Sequence, residues 1–266
     1  MESTEIRKAV ELYKKEHGYD KMDLRAAMFD MDGVLFDSMK NHAYSWHQTM
    51  AHFGLDLPEW EAYMHEGRTG AGTINIVSMR QRGYEASQEE IEKIYKYKSE
   101  LFNTRPQAER MPGAYELLCK VKGSGTTPLV VTGSGQKSLL ERLNKNFPDI
   151  FRSDLMVTAF DVTFGKPNPE PYLIGMEKFY TFSNRECENK AKVAPNNFIV
   201  VENAPLGVQA GVAAGVFTIA VNTGPLPDSA LLDQGANLLF HSMQDFCDNW
   251  EKVFEELKLD AQPSLD

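Results

Sequence analysis

Phe29-Asp30-Met31-Asp32-Gly33-Val34-Leu35-Phe36-Asp37-Ser38 follows directly on a short apolar run that opens at Arg25. The run reads as a buried strand, and it stops at the acidic turn Asp30-Met31-Asp32-Gly33. Two carboxylates two residues apart at a strand end can face one cleft if the chain turns there. Taken alone, the same residues also suit a simple Asx-type turn with both aspartates in solvent. What lies around the turn decides between these readings.

Working outward, further short apolar runs occur at Pro128 to Val131, Leu155 to Val157, Phe198 to Val201 and Phe217 to Val221. Helical stretches separate them: one started by Met111-Pro112-Gly113, one running through Leu143, and one from Leu206 to Gly215. Strands alternating with helices predict an α/β fold, a Rossmann-like parallel sheet with helices on both faces. The polar clusters all fall just past strand C-terminal ends, the edge where open α/β sheets bind ligands. Residues 39–103 hold no convincing buried strand. Their aromatic, Met and charged residues recur at helical spacing, broken at Gly54–Pro58, Gly67–Gly72 and Gly83–Ser87. The expected organisation is an α/β catalytic core, residues 1–38 and 106–266, interrupted by an inserted α-helical cap, residues 39–105. A helix over 4–17, with Ile6, Val10 and Tyr13 on one stripe, precedes the first strand. Residues 181–194 are polar and read as an exposed loop.

The 266 residues are 42% hydrophobic and 25% charged, enough for a sizeable core, and the net charge is -10. Such a chain repels polyanions, so nucleic acid and anionic membrane are poor partners. A small phosphorylated metabolite is compatible, because local cations and a metal can reverse the field inside a cleft. Cys119, Cys187 and Cys247 are far apart and odd in number, which suggests reduced thiols in a cytoplasmic protein. No secretory signal and no membrane-spanning run is visible. Oligomeric state is not legible.

Three more strings complete the pattern. Thr132-Gly133-Ser134 follows Val130-Val131, and a hydroxyl with backbone N–H groups at a strand end can hold phosphoryl oxygens. Gly165-Lys166-Pro167-Asn168-Pro169-Glu170-Pro171 places a lysine in the loop before a helix. Val200-Val201-Glu202-Asn203-Ala204-Pro205-Leu206-Gly207 runs strand, acidic turn, small-residue helix. Together with the opening string, these resemble the four ordered motifs of the haloacid dehalogenase superfamily. The resemblance implies that Asp30 is a nucleophile that becomes phosphorylated, and that Asp32 is the general acid and base. Thr132 would hold the phosphoryl group with the Gly133 and Ser134 amides, and Lys166 would offset charge. It further implies Mg²⁺, held by Asp30, the Asp32 carbonyl and a residue of the fourth motif. Many relatives carry Glu-Asp where this chain has Glu202-Asn203, which leaves open which of the two ligates.

The insertion resembles the helical cap of the β-phosphoglucomutase-like branch. Ser38 and His42 keep that branch's spacing, and His42 could position Asp32 or simply pack. Trp46 reads as core. Gly67-Arg68-Thr69-Gly70 falls at the branch's specificity loop, but Gly70 stands where the mutase has an arginine, and Glu66 stands where a lysine is usual. Arg68 could compensate, and Lys98 in the last cap helix matches another cation of that branch's cap, although Arg68 equally suits a surface turn. The expected activity is Mg²⁺-dependent phosphatase action on small phosphorylated metabolites, most readily sugar phosphates. A sugar-phosphate mutase is the alternative. A weakly catalytic metabolite-binding protein is a third reading, favoured only by Asn203.

Overall fold

The computed structural model describes residues 1–135, 139–186 and 193–258. In chain order the elements are α1 (Ser3–His17), β1 (Ala26–Phe29), α2 (Met39–His52), α3 (Glu59–Met64), α4 (Gly70–Arg82), α5 (Gln88–Asn103), α6 (Ala114–Gly123), β2 (Thr127–Val131) and α7 (Leu139–Asn146). They continue with β3 (Met156–Val157), α8 (Glu170–Glu186), β4 (Phe198–Glu202), α9 (Pro205–Ala213), β5 (Phe217–Val221), α10 (Ser229–Leu232), β6 (Leu238–Phe240) and α11 (Met243–Leu257). The strands form one six-stranded sheet in the order β3-β2-β1-β4-β5-β6, with every pairing parallel. The α/β fold with an inserted helical unit is therefore as expected.

The sheet is apolar on both faces because both are covered. Successive strand residues point to opposite sides. Ala27 and Phe29 join a cluster with Leu117 of α6, Leu143 of α7 and Trp250 of α11. Ala26 and Met28 join the opposite cluster, with Tyr172 and Phe179 of α8 and Ala210 of α9. This double burial explains why β1 and β4 read as continuous apolar runs without alternation.

Helix α1 packs on the first of these faces through Ile6, Val10 and Tyr13. Its Tyr13 hydroxyl donates to the Gly215 carbonyl at 2.7 Å. The helices α2 to α5 carry their own apolar cluster, formed by Met50, Leu55, Leu57, Ile74, Val77, Ala86 and Ile94. α5 starts at a capping box, in which Ser87 and Glu90 satisfy each other's backbone N–H groups. α4 begins at Gly70, inside the expected break, because the Thr69 hydroxyl caps it by accepting from Gly72 N–H at 3.1 Å.

One expectation needs correction. Residues 181–194 are not a loop throughout, since α8 continues to Glu186. Phe179 of that helix is buried and Phe182 packs against the same cluster, so tertiary contact sustains a polar stretch as helix. Residues 187–192 of the segment, Cys187 included, lie outside the described residues, as does the start of the helix through Leu143. The strand β6 and the helix α11 complete the sheet beyond the last element read from sequence.

Candidate active site

The central strands β2, β1 and β4 end at one level. Phe29 pairs with Val130 on one side and Val201 on the other. The next residues out of the sheet are therefore Asp30, the Val131-Thr132 step and Glu202. Asp30 donates its N–H to the Val201 carbonyl at 3.0 Å, which fixes where its side chain leaves the strand. Lys166 reaches in from the loop before α8.

Lys166 is the hub. Its Nζ lies 2.5 Å from Asp30 Oδ1 and 2.5 Å from Glu202 Oε1, and 3.2 Å from the Val131 carbonyl. The ammonium is 2% exposed. Burial alone would pull Lys166 down, but Asp30 and Glu202 outweigh it and hold it charged. Burial, opposed by Lys166 and reinforced by Glu202 and Asp32, pushes Asp30 up.

Glu202, one of two alternative metal ligands, has hydrogen-bond donors on both oxygens. Its Oε1 accepts from Lys166 and from the Tyr172 hydroxyl, the latter at 2.6 Å. Its Oε2 accepts from the backbone N–H groups of Asn203 and Ala204. With both oxygens engaged, Glu202 anchors Lys166. The acceptor left over is Asn203 Oδ1, buried and without a hydrogen-bond partner among the described residues.

Asp32 faces the inserted helices. The Ser38 hydroxyl donates to its Oδ1 at 2.5 Å, and His42 Nε2 stands 3.4 Å from the same oxygen. Lys98 Nζ lies 2.9 Å from His42 Nδ1. An ammonium only donates, so this contact leaves the ring proton on Nε2, facing Asp32. Burial disfavours the Asp32 carboxylate, yet His42 and the Ser38 hydroxyl hold it well below the usual carboxylate range. Burial and the Lys98 charge lower His42, with Asp32 opposing. Burial lowers Lys98 to about 8.

A cavity of about 740 Å³ lies between the sheet edge and the inserted helices. Asp30, Asp32, Thr132, Gly133 and Ser134 form its floor, and His42, Glu66, Arg68 and Lys98 its roof. Of the sequence-derived residues, these line one space, whereas Lys166, Glu202 and Asn203 do not line it and Lys166 meets it through Asp30. Trp46, read as core, both packs on the cap cluster and lines the cavity, with Lys98 Nζ 5.3 Å from its ring centroid. Ser134 N–H donates to Thr132 Oγ1 at 3.1 Å, so that amide braces the loop here. Arg68 Nε is buried without a hydrogen-bond partner among the described residues.

Two residues escaped the sequence reading. Tyr172 follows the third string closely, and a buried phenol there needs a partner, which is the only signal it offers. Glu66 was noted just as a departure, yet it is buried and both its oxygens accept from Asn203 Nδ2, at 3.1 and 3.0 Å. Burial, with Asp30 adding, pushes Glu66 well up.

Asp30 and Glu202 flank the Lys166 ammonium, Asp32 and Glu66 add to the negative field at Asp30, and Asn203 beside Glu66 offers an uncommitted buried oxygen. An all-oxygen donor set with excess negative charge fits a hard divalent cation such as Mg²⁺. The residues suited to hold it are Asp30, the Asp32 carbonyl and Asn203.

A buried lysine bridging two strand-end carboxylates beneath a helical roof defines an α/β enzyme centre built for anionic groups. The profile of the haloacid dehalogenase-like hydrolases matches residues 27–221, and the chain belongs to that family. Hexitol phosphatase A of Escherichia coli (strain K12) is 28% identical over 84% of this chain and 93% of its own length. Glycerol-1-phosphate phosphohydrolase 2 of Saccharomyces cerevisiae is 28% identical over 76% of each. A solved structure from Bacteroides vulgatus, provisionally described as a beta-phosphoglucomutase, is 59% identical. It superimposes with a TM-score of 0.90 over 97% of this chain and all of its own.

Proposed function

We propose that the protein is a phosphatase for small phosphorylated sugars or polyols, working through an aspartyl-phosphate on Asp30. The observation that carries this is the Asp30–Lys166 contact at the floor of a roofed cavity, with Asp32 held separately beside it. Asp30 attacks phosphorus and the ester oxygen leaves, taking a proton from Asp32. Asp32 then removes a proton from water, whose oxygen displaces Asp30 and frees inorganic phosphate. Asp32 is ionised in the free site, but a phosphate dianion arriving beside it favours its protonated form. Lys166 stays charged throughout and offsets repulsion between Asp30 and the incoming group. Bound Mg²⁺ would supply charge neutralisation for the transferring phosphoryl group. Thr132 and the Gly133 amide, which line the cavity, hold phosphoryl oxygens in this reading. His42 and Lys98 orient Asp32 from the roof. Residues 39–105 act as the cap and residues 1–38 and 106–266 as the core. The phosphatase names of the two curated relatives support this substrate class. The free thiols of Cys119 and Cys247 suit a cytoplasmic enzyme.

A sugar-phosphate mutase is the second reading, favoured by the Bacteroides relative and by Arg68, whose unpartnered Nε could serve a second phosphate. Against it, position 70 is glycine, and an added Cβ would lie 2.3 Å from the Tyr95 ring, so an arginine there would require that ring to move. The test is phosphate release from a panel of sugar and polyol phosphates, including β-glucose 1-phosphate, with and without Mg²⁺. Magnesium-dependent release that falls to background in Asp30→Asn, with cooperative unfolding retained, is the expected result. Conversion of β-glucose 1-phosphate to glucose 6-phosphate without net release would replace it with the mutase. Turnover retained in Asp30→Asn would sink both.

A further inference from the structure

Glu66 stands in the loop between α3 and α4, among glycines, where a carboxylate would ordinarily be solvated. It is instead 9% exposed and grips Asn203 Nδ2 with both oxygens. The contact joins the inserted helices to the turn after β4. On its other side Asn203 lies against the backbone of Gly33, where an added Cβ would come 2.1 Å from Nδ2. Gly33 has φ +81°, so both conformation and space demand glycine there. The Asn203 amide is clamped between the acidic turn and the roof.

Which end of an amide faces which way is set by its hydrogen-bond partners. Both Glu66 oxygens lie at the NH₂ end, 3.1 and 3.0 Å from Nδ2, which turns the carbonyl end away from Glu66. Oδ1 is then the buried oxygen left without a donor. Such an acceptor costs about 1–3 kcal/mol unless something positive meets it. An aspartate at 203 would need no such orientation, because its two oxygens are equivalent.

We propose that Glu66 is a positioning residue for the divalent cation, fixing the Asn203 amide with Oδ1 toward the cation when the roof is closed. This rests on the reading that Asn203 supplies a cation oxygen. The carboxylate missing from position 203 is held one hydrogen bond further out.

The test is calorimetric titration of Mg²⁺ into the full-length protein without substrate. The proteins compared are wild type, Asn203→Ala, Glu66→Gln and the double variant Glu66→Gln/Asn203→Asp. Glu66→Gln is isosteric but offers both a donor and an acceptor, so Asn203 can flip. Asn203→Ala and Glu66→Gln should each weaken Mg²⁺ binding by roughly tenfold or more. The double variant should recover most of that loss, since an aspartate presents an oxygen either way round. Cooperative thermal unfolding without cation checks that each variant is folded. Wild-type affinity in Glu66→Gln, with weakened binding in Asn203→Ala, would overturn the positioning role and leave the cation reading standing. Wild-type affinity in Asn203→Ala would overturn that reading as well. A double variant no tighter than Glu66→Gln would overturn the amide-orientation mechanism.

Discussion

Lys98 shows how a single residue's burial translates into measurable behaviour. Its ammonium sits between His42 Nδ1 and the Trp46 and Phe102 rings, and is 6% exposed. Burial lowers it from 10.5 to about 8, with the Asp32 charge opposing. Between those values the unfolded chain holds a proton that the folded chain has released. Stability should therefore rise with pH across that window. Lys98→Met keeps the packing and removes the charge. It should stabilise the protein at pH 7 by roughly 1–3 kcal/mol, and the gain should shrink toward pH 10. Urea unfolding at several pH values checks this, and a gain independent of pH would contradict it. Asp30, Asp32, Thr132 and Lys166 were legible at this scale because each sits beside a strand end or in a string of fixed composition. Glu66 and Tyr172 were not. Their partners Asn203 and Glu202 lie 137 and 30 residues away, and no local pattern carries that information.

Among elements, α1 turns from a sequence ambiguity into a structural part. Its stripe predicted helix but not what the stripe would cover. The structure lays it against α11 and the sheet, with Tyr13 edge-on to Phe217 of β5 at 5.3 Å between ring centroids. The exposed Arg7–Glu256 ion pair at its surface adds little, because solvent screens it. The Tyr13 hydroxyl adds more, since it satisfies the Gly215 carbonyl from a buried position. Tyr13→Phe should cost about 1–2 kcal/mol in thermal or urea unfolding with turnover unchanged. A loss in turnover without a loss in stability would mean α1 acts on the site in some other way. α8 shows the limit of composition at this scale. Polar residues through Glu186 read as loop, while Phe179 and Phe182 were holding the helix against the sheet.

For the whole molecule, the division into sheet and inserted helices sets how the cation should act. The helices carry a separate apolar cluster, and their polar contacts with the core include the Glu66–Asn203 bond, the His42–Asp32 approach and the Ser38–Asp32 bond at the first boundary. A cation that neutralises the crowded carboxyls binds the folded protein and not the unfolded chain. Mg²⁺ should therefore raise the melting temperature with the logarithm of its concentration above Kd, by about 2.7 kcal/mol of stability at a hundredfold excess over Kd. Chelator should reverse the shift. An unchanged melting temperature over millimolar Mg²⁺ would contradict the cation assignment. Among the described residues no helix is long and apolar enough to cross a membrane.

The sequence alone determined the parallel sheet, because doubly buried strands must be apolar throughout and their polar continuations must then leave at one edge. It also determined the candidate nucleophile, acid and lysine, whose chemistry is written in strings next to those edges. Only the tertiary structure decided what each polar group faces. Glu202 and Asn203 are neighbours in the chain and equally able to offer oxygen. Lys166 and Tyr172 claim the first, and Glu66 turns the second, because a hydrogen bond depends on distance in space and the partners come from remote segments.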